Sequence, residues 1–339
     1  MRQSSIIILL LVSIPLLTII NLAVGSVAIP FGEVVSLLCG GDGGSEIGRA
    51  IVIQTRLPQT LTAIFCGAGL AAAGLQMQTV FHNPLAGPSV LGISSAASLG
   101  VALMVLANGA LGGALLAGFG VYGNTALTLA AIVGALSVMT LIVWLSQRVE
   151  GNATLLIVGV LIGYIASAII GVLKYLSSEE DVHQFVIWGL GSFARVTGGQ
   201  VYVFVGLMAV LLPCTLLLAK PLNMLLLGEQ YATNLGLDVR RARMMIITSA
   251  GILTAVATAY CGPIMFLGLA VPHIARGLLA TEDHRLLLPA TILAGASLAL
   301  ICNLIARMPG FEGALPINSV TALIGAPVAI WVLLRRKYI

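Results

Sequence analysis

The chain has four histidines, His82, His183, His273 and His284, and none stands in a His-Glu-x-x-His spacing. That spacing puts two imidazoles on one helix face beside a carboxylate base, so zinc-dependent hydrolysis is not indicated. A serine hydrolase could use Ser94 or Ser95 with His273 only if folding brought them together, and serines in glycine-rich apolar runs are commonly packing residues. A nucleotide-binding P-loop needs a glycine followed by lysine and a hydroxyl residue, so that backbone amides and the lysine cradle phosphates. The three lysines lie in Leu-Lys-Tyr (Lys174), Ala-Lys-Pro (Lys220) and Arg-Lys-Tyr (Lys337), and none fits. Energy from ATP would have to come from another subunit. The five cysteines, Cys39, Cys66, Cys214, Cys261 and Cys302, are scattered without a C-x-x-C pair. Neither a disulfide framework nor a metal cluster is expected. No catalytic residue emerges.

The elements that would carry these groups are apolar. Hydrophobic residues make up 59% of the 339 and charged residues only 8%, against about 25% charged in a soluble domain. A membrane helix needs about 20 apolar residues. Ten runs approach or meet that length: 6–24, 61–81, 89–107, 125–146, 153–173, 201–219, 244–261, 263–280, 286–305 and 318–334. The eighth is interrupted by Pro272, His273 and Arg276, and the glycine-rich stretch 109–124 could extend the fourth. The first run is longer than a signal-peptide core and contains Pro15, so it reads as an uncleaved span. With the N-terminus inside, eleven of the sixteen Lys and Arg residues fall on the cytoplasmic side, and Arg49, Arg56, Lys174, Arg195 and Arg307 lie outside. That follows the positive-inside rule and places both termini in the cytoplasm. Net charge of +4 therefore reflects topology and needs no nucleic-acid partner; lipid is the partner that composition implies.

Charge inside the spans is scarce. Lys174 is close enough to the outer end to snorkel, and no acidic residue falls near a span centre. This argues against a proton- or sodium-coupled carrier, and a passive channel ranks below that. One break stands out. The run 61–81 ends abruptly in His82-Asn83-Pro84-Leu85-Ala86-Gly87-Pro88, and a new apolar run starts at Val90. Two prolines without backbone donors must break the helix, and broken backbone at membrane depth is tolerated only when buried in protein or lining a water-filled path. Two hydrophilic stretches flank the spans. Residues 40–50 read as an outer loop. Residues 220–243 form the longest inner connection: Lys220-Pro221 closes span six, and Gly228 to Leu235 is long enough for about two helical turns before a glycine stop at Gly236. Leu225, Leu226, Leu227, Leu235 and Leu237 give that loop an apolar surface that wants a partner. Glycines within spans, including Gly67, Gly69, Gly74, Gly159 and Gly163, are expected to permit close helix packing.

Three separated motifs resemble the FecCD-type permeases of ABC importers. The first is Arg56-Leu57-Pro58-Gln59, Gly74 to Gln78, and Asn83 to Gly92; the second runs from Cys261 to Arg276; the third runs from Leu315 to Pro327. The resemblance implies an all-α polytopic membrane protein of about ten transmembrane helices with the type II ABC importer permease fold, one permease domain over residues 1–339. It implies a homodimer in the bacterial inner membrane, two cytosolic ATPase subunits and a periplasmic substrate-binding protein. No cofactor is expected on this chain; ATP and Mg belong to the partner ATPase. The cargo would be a metal chelate, a ferric siderophore first, with cobalamin or haem as alternatives. By resemblance, Asn83, Pro84 and Leu85 form part of the cytoplasmic gate, with Asn152 and Ala153 as its second element. Gly228, Glu229, Ala232, Leu235 and Gly236 belong to the coupling helix on the ATPase. Arg56 and Arg307 meet acidic residues of the binding protein. The chain departs from the family at Gln59, where a second arginine is usual, at Asn303, where an aspartate is usual, and at Asn318-Ser319 after Leu-Pro.

Overall fold

The structure is a computed structural model that describes residues 2–25, 27, 29–38, 45–110, 123–149, 151–308 and 314–335. Among these residues the regular structure is helical, without a strand. Seven helices are long and apolar enough to cross a membrane, and three shorter apolar ones complete the set of ten that the hydrophobic runs imply. The seven are α1 (Arg2–Ala23), the continuous helix Glu46–Val80, α6 (Asn124–Ser146), α7 (Asn152–Leu176), α9 (Gly199–Leu216), α12 (Val239–Cys261) and α14 (His284–Ala306). The shorter three are α5 (Ile93–Ala110), α13 (Leu267–Leu279) and α15 (Ile317–Arg335). Four more are peripheral: α2 (Phe31–Leu38), α8 (Glu179–Gly189), α10 (Ala219–Leu226) and α11 (Glu229–Asn234). Most of the glycine-rich stretch 109–124 lies outside the described residues.

The stretch 40–50 is not a plain loop. Ser45 Oγ accepts from the Gly48 N–H and starts a helix at Glu46. This helix, α3 (Glu46–Ala50), passes through a π-helical turn, Ile51–Arg56, into α4 (Leu57–Val80). Residues 40–44 lie outside the described set.

Helix α4 is the centre of the bundle. It packs on α14, α12, α13 and α9 and is largely buried, whereas α1 is largely exposed. The reason is the small-residue run Gly67-Ala68-Gly69 and Ala71-Ala72-Ala73-Gly74. A Cβ added to Gly74 would lie 1.7 Å from the Gly268 carbonyl oxygen, and one on Gly67 would lie 2.4 Å from the Gly295 oxygen. Lipid tails give helices no hydrophobic reason to associate, so such backbone-to-backbone approach and its van der Waals contact hold the bundle. At the periphery α1, α7 and α9 present leucine, isoleucine and valine outward.

Pro272, His273 and Arg276 do not interrupt the eighth apolar run, since all three lie within α13 (Leu267–Leu279), and the run is shortened only at its start. Gly262 and Phe266 take positive φ, α12 ends at Cys261, and α13 does not start until Leu267. Lys220-Pro221 does not close the sixth span. Helix α9 ends at Leu216, and Pro221 sits in the first turn of α10, where its missing N–H costs nothing.

Candidate functional site

One end of the bundle gathers the break after α4, the connection 220–243 and the start of α14. Helix α4 stops at Val80, and His82 follows in the left-handed region with φ 47°. Asn83 Oδ1 accepts from the Leu85 N–H at 2.9 Å, and the Asn83 carbonyl accepts from Ala86 N–H at 3.0 Å. These bonds set a tight turn that the sequence Asn-Pro favours. A short 3-10 turn, Pro88–Leu91, then leads into α5 through Gly92, whose φ of 76° suits glycine. The turn is clamped on two sides. His273 of α13 donates its Nε2–H to the Pro84 carbonyl at 2.8 Å, and His82 donates to the Leu225 carbonyl of α10 at 2.9 Å. A carbonyl only accepts, so Nε2 carries the proton in both rings.

A polar cavity of about 360 Å³ opens here, lined by Gln78, His82, Asn83, His273, Arg276 and Glu282 among others. Arg276 bridges its walls, donating to Gln78 Oε1 at 2.6 Å and pairing with Glu282 at 3.0 Å. Gln78 in turn donates to the Leu269 carbonyl at 3.1 Å. The first two sequence motifs, far apart in the chain, thus line one cavity. Of the expected gate residues, Asn83, Pro84 and Leu85 are half-buried, and the first two line the cavity. Asn152 and Ala153 begin α7, where Ala153 is exposed and the Asn152 side chain lies outside the described set. Helix α7 meets the Pro88–Leu91 turn deeper, at Gly159.

The connection 220–243 forms two short helices where one was expected. Gly228 and Gly236 flank α11 with φ of 95° and 85°. Ala232 is fully buried, and Glu229 forms an ion pair with Arg243. The apolar surface is smaller than the leucine content suggests, because Leu222 and Leu225 belong to the core. Leu227, Leu235 and Tyr231 stay exposed, at 60%, 60% and 69%. Tyr231, which carries no motif, is thus the residue that sequence reasoning missed on this surface.

From the sequence, His284 beside Asp283 reads as a cytoplasmic loop residue. It is not a loop residue but the fully buried first residue of α14. Its Nε2 lies 2.8 Å from Thr79 Oγ1 on α4, and its Nδ1 lies 2.9 Å from Asn223 Oδ1 on α10. Asn223 Oδ1 also accepts from the His284 backbone N–H at 2.8 Å, while Asn223 Nδ2 donates to Asp283 Oδ1 at 2.6 Å. The Asn223 oxygen is therefore the acceptor, Nδ1 of His284 holds a proton, and in the neutral ring Nε2 accepts from Thr79. Backbone and amide bonds, from Arg285 N–H first and Asn223 second, hold the Asp283 carboxyl below its ordinary pKa. The one signal available in sequence was Asp283, which caps α14 by accepting from Arg285 N–H and so marks His284 as helical.

The opposite end holds Arg56 and Arg307. Arg56 was expected as an exposed docking cation, yet it is only 2% exposed. Its guanidinium donates to the carbonyls of Leu22 and Ala23, at 2.7 and 2.8 Å, and to that of Val27. The first two lie at the C-terminal end of α1, where a cation is favoured, and the third follows the helix. Arg307 is half-buried beside it, with a buried Nη1 that has no hydrogen-bond partner among the described residues. Burial and the Arg56 charge push its guanidinium down to about 10, so it stays protonated at neutral pH. Gln59 and Asn303 prove to be partners: Gln59 Nε2 donates to Asn303 Oδ1 at 2.9 Å, and Asn303 Nδ2 donates to Asn21 Oδ1 at 2.8 Å.

The Ser94 and His273 side chains are held by other partners. Ser94 Oγ faces Thr258 Oγ1 at 3.3 Å, whereas His273 is turned to Pro84. Among the described residues no group of three His, Cys, Asp or Glu side chains could hold a metal, and Cys66, Cys214, Cys261 and Cys302 are unbridged. Cys39 lies outside the described set.

The model of the FecCD transport family matches residues 9–335. The chain is 39% identical over 320 residues to the vitamin B12 import system permease protein BtuC of Klebsiella pneumoniae subsp. pneumoniae, covering 94% of this chain and 90% of the relative. It is 40% identical over 297 residues to the BtuC of Escherichia coli O6:H1, covering 87% of each. A solved structure described as an inward-facing conformation of a candidate metal-chelate type ABC transporter superposes with a TM-score of 0.83 at 28% identity, over 98% of this chain and 99% of that one.

Proposed function

We propose, because the chain belongs to the FecCD transport family, that it is the permease subunit of an ATP-driven importer whose cargo is cobalamin. The observation that carries the cargo is the likeness to vitamin B12 permeases over nearly the whole chain, in place of the ferric siderophore that the motifs alone put first. The end with the polar cavity faces the cytoplasm, as the excess of Lys and Arg at that end favours. There Asn83, Pro84 and Leu85 form the gate of a homodimer, with Asn152 and Ala153 as its second element. Leu227, Tyr231 and Leu235 offer the apolar surface on which a cytosolic ATPase pair docks, with Gly228 and Gly236 setting the angle of α11. ATP and Mg stay on that partner. At the outer end a periplasmic binding protein meets the half-exposed side chain of Arg307, while Arg56 holds α1 in place behind it.

The test is uptake into proteoliposomes that hold this chain with the ATPase and binding protein encoded beside it. Labelled cyanocobalamin and a labelled ferric siderophore are offered in parallel. ATP-dependent accumulation of cyanocobalamin alone is the expected result. Accumulation of the siderophore alone overturns the cargo, and accumulation of neither, with no ATPase co-purifying, overturns the permease assignment.

A further inference from the structure

Three facts about the cavity end go beyond a gate and a docking surface. First, α10 leads directly into α11 and its exposed residues, with Leu227 and Gly228 between them. Second, α10 is hydrogen-bonded to the gate turn through His82, whose Nε2–H is 2.9 Å from the Leu225 carbonyl. His82 immediately precedes Asn83 and takes a positive φ of 47°. Third, α10 is bound to the last turn of α4 through the buried chain Asn223, His284 and Thr79, with contacts of 2.9 and 2.8 Å. Both links bridge elements distant in sequence, and both end within four residues of Asn83.

We infer that His82 and His284 are positioning residues that make the gate turn follow α10, so that a shift of the docking surface is delivered to Asn83 as a displacement. This rests on the permease reading above and names the atoms that join the two sites. Hydrogen bonds to carbonyl and amide oxygens are directional and fail steeply with misalignment, so a rotation of α10 drags the bonded turn or breaks the bond. Two tethers at different points on α10, Asn223 and Leu225, transmit rotation as well as translation. His273 holds the other side of the turn through Pro84, which makes α13 the fixed wall against which the turn moves. A histidine suits this role because its ring reaches a carbonyl with one donor while its second nitrogen stays uncommitted or accepts.

The experiment is hydrogen exchange with mass spectrometry on the chain assembled with its ATPase, compared with and without ATP and vanadate. It requires no cargo. In the wild type, the amides of residues 82–88 and those of α10 and α11 are expected to change together. His82→Asn tolerates positive φ but does not reach Leu225; Thr79→Val removes the His284 contact at constant shape. In the double variant α10 and α11 should still respond, and the response of residues 82–88 should fall at least fivefold. His82→Gln, which keeps an N–H donor, should restore part of it. An undiminished response of residues 82–88 in the double variant overturns the inference. A wild type in which α10 and α11 do not respond at all overturns the permease reading itself, and the inference with it. Where cargo transport is measured, the variants should hydrolyse ATP near the wild-type rate while transport per ATP falls about tenfold; a purely structural role would lower both together.

Discussion

The Gln59–Asn303–Asn21 chain allows the energetics to be worked in detail. The three side chains are 8%, 1% and 0% exposed. Asn21 Nδ2 is fixed by the carbonyls of Leu17 and Leu300, at 2.9 and 3.2 Å, so its oxygen must face Asn303. Replacing Asn303 by leucine strands two buried groups, Gln59 Nε2 and Asn21 Oδ1. Each stranded group costs about 1–3 kcal/mol, so Asn303→Leu should lose about 2–6 kcal/mol. Gln59→Met strands only Asn303 Oδ1 and should lose about 1–3 kcal/mol. In the double variant only Asn21 Oδ1 is left without a partner. Its loss should fall short of the sum of the singles by at least about 1 kcal/mol, as expected for residues in one network. The same logic covers the ionic version of the pair. Asn303→Asp or Gln59→Arg alone buries an uncompensated charge at about 3–5 kcal/mol, and the two together should recover much of it. The assay is unfolding of the purified protein in mixed micelles by titrated SDS, followed by circular dichroism. Additive losses in the double variant would refute the argument, since they would mean the two amides do not sense each other.

Three further outcomes are expected. Gly74→Ala should destabilise the bundle by about 1–3 kcal/mol or more by driving a methyl into the Gly268 backbone, whereas Gly206→Ala, with nothing within 4 Å of its Cβ, should be neutral or better; thermal midpoints in detergent compare the two. Gln76 is fully buried with neither amide atom bonded to a described residue, so Gln76→Met should leave the midpoint unchanged or raise it, and a clear fall would show that the amide is in use. The Asp283 carboxyl is held below its ordinary value, so the stability it adds is present above about pH 4 and is lost as pH falls through the lowered folded value; the difference in midpoint between wild type and Asp283→Asn, measured from pH 6 down to pH 3, should shrink in that window.

Much of the architecture was legible from local pattern. Ten apolar runs, a two-proline break and a glycine-flanked turn each follow from properties of adjacent residues, namely transfer free energy, missing donors and permitted φ. They located the spans and the cavity-end turn at Asn83. They misjudged boundaries wherever a cap or a proline could serve either end of a helix, as Ser45 and Pro221 show. What adjacent residues do not contain is which distant groups meet. His284 reads as a loop residue until α10 and α4 close over it, and Arg56 reads as a surface cation until the end of α1 and the residues after it offer it three carbonyls. Gln59 and Asn303 look like two unrelated departures, 244 positions apart, and are a single hydrogen-bonded pair. The sequence by itself determined that this chain crosses a membrane many times and breaks once at a gate-like turn, because burial and backbone chemistry are written residue by residue. Only the tertiary structure decided which polar groups are satisfied inside the protein and which remain for a partner, because that depends on the directions and distances of groups brought together by the packing of α4.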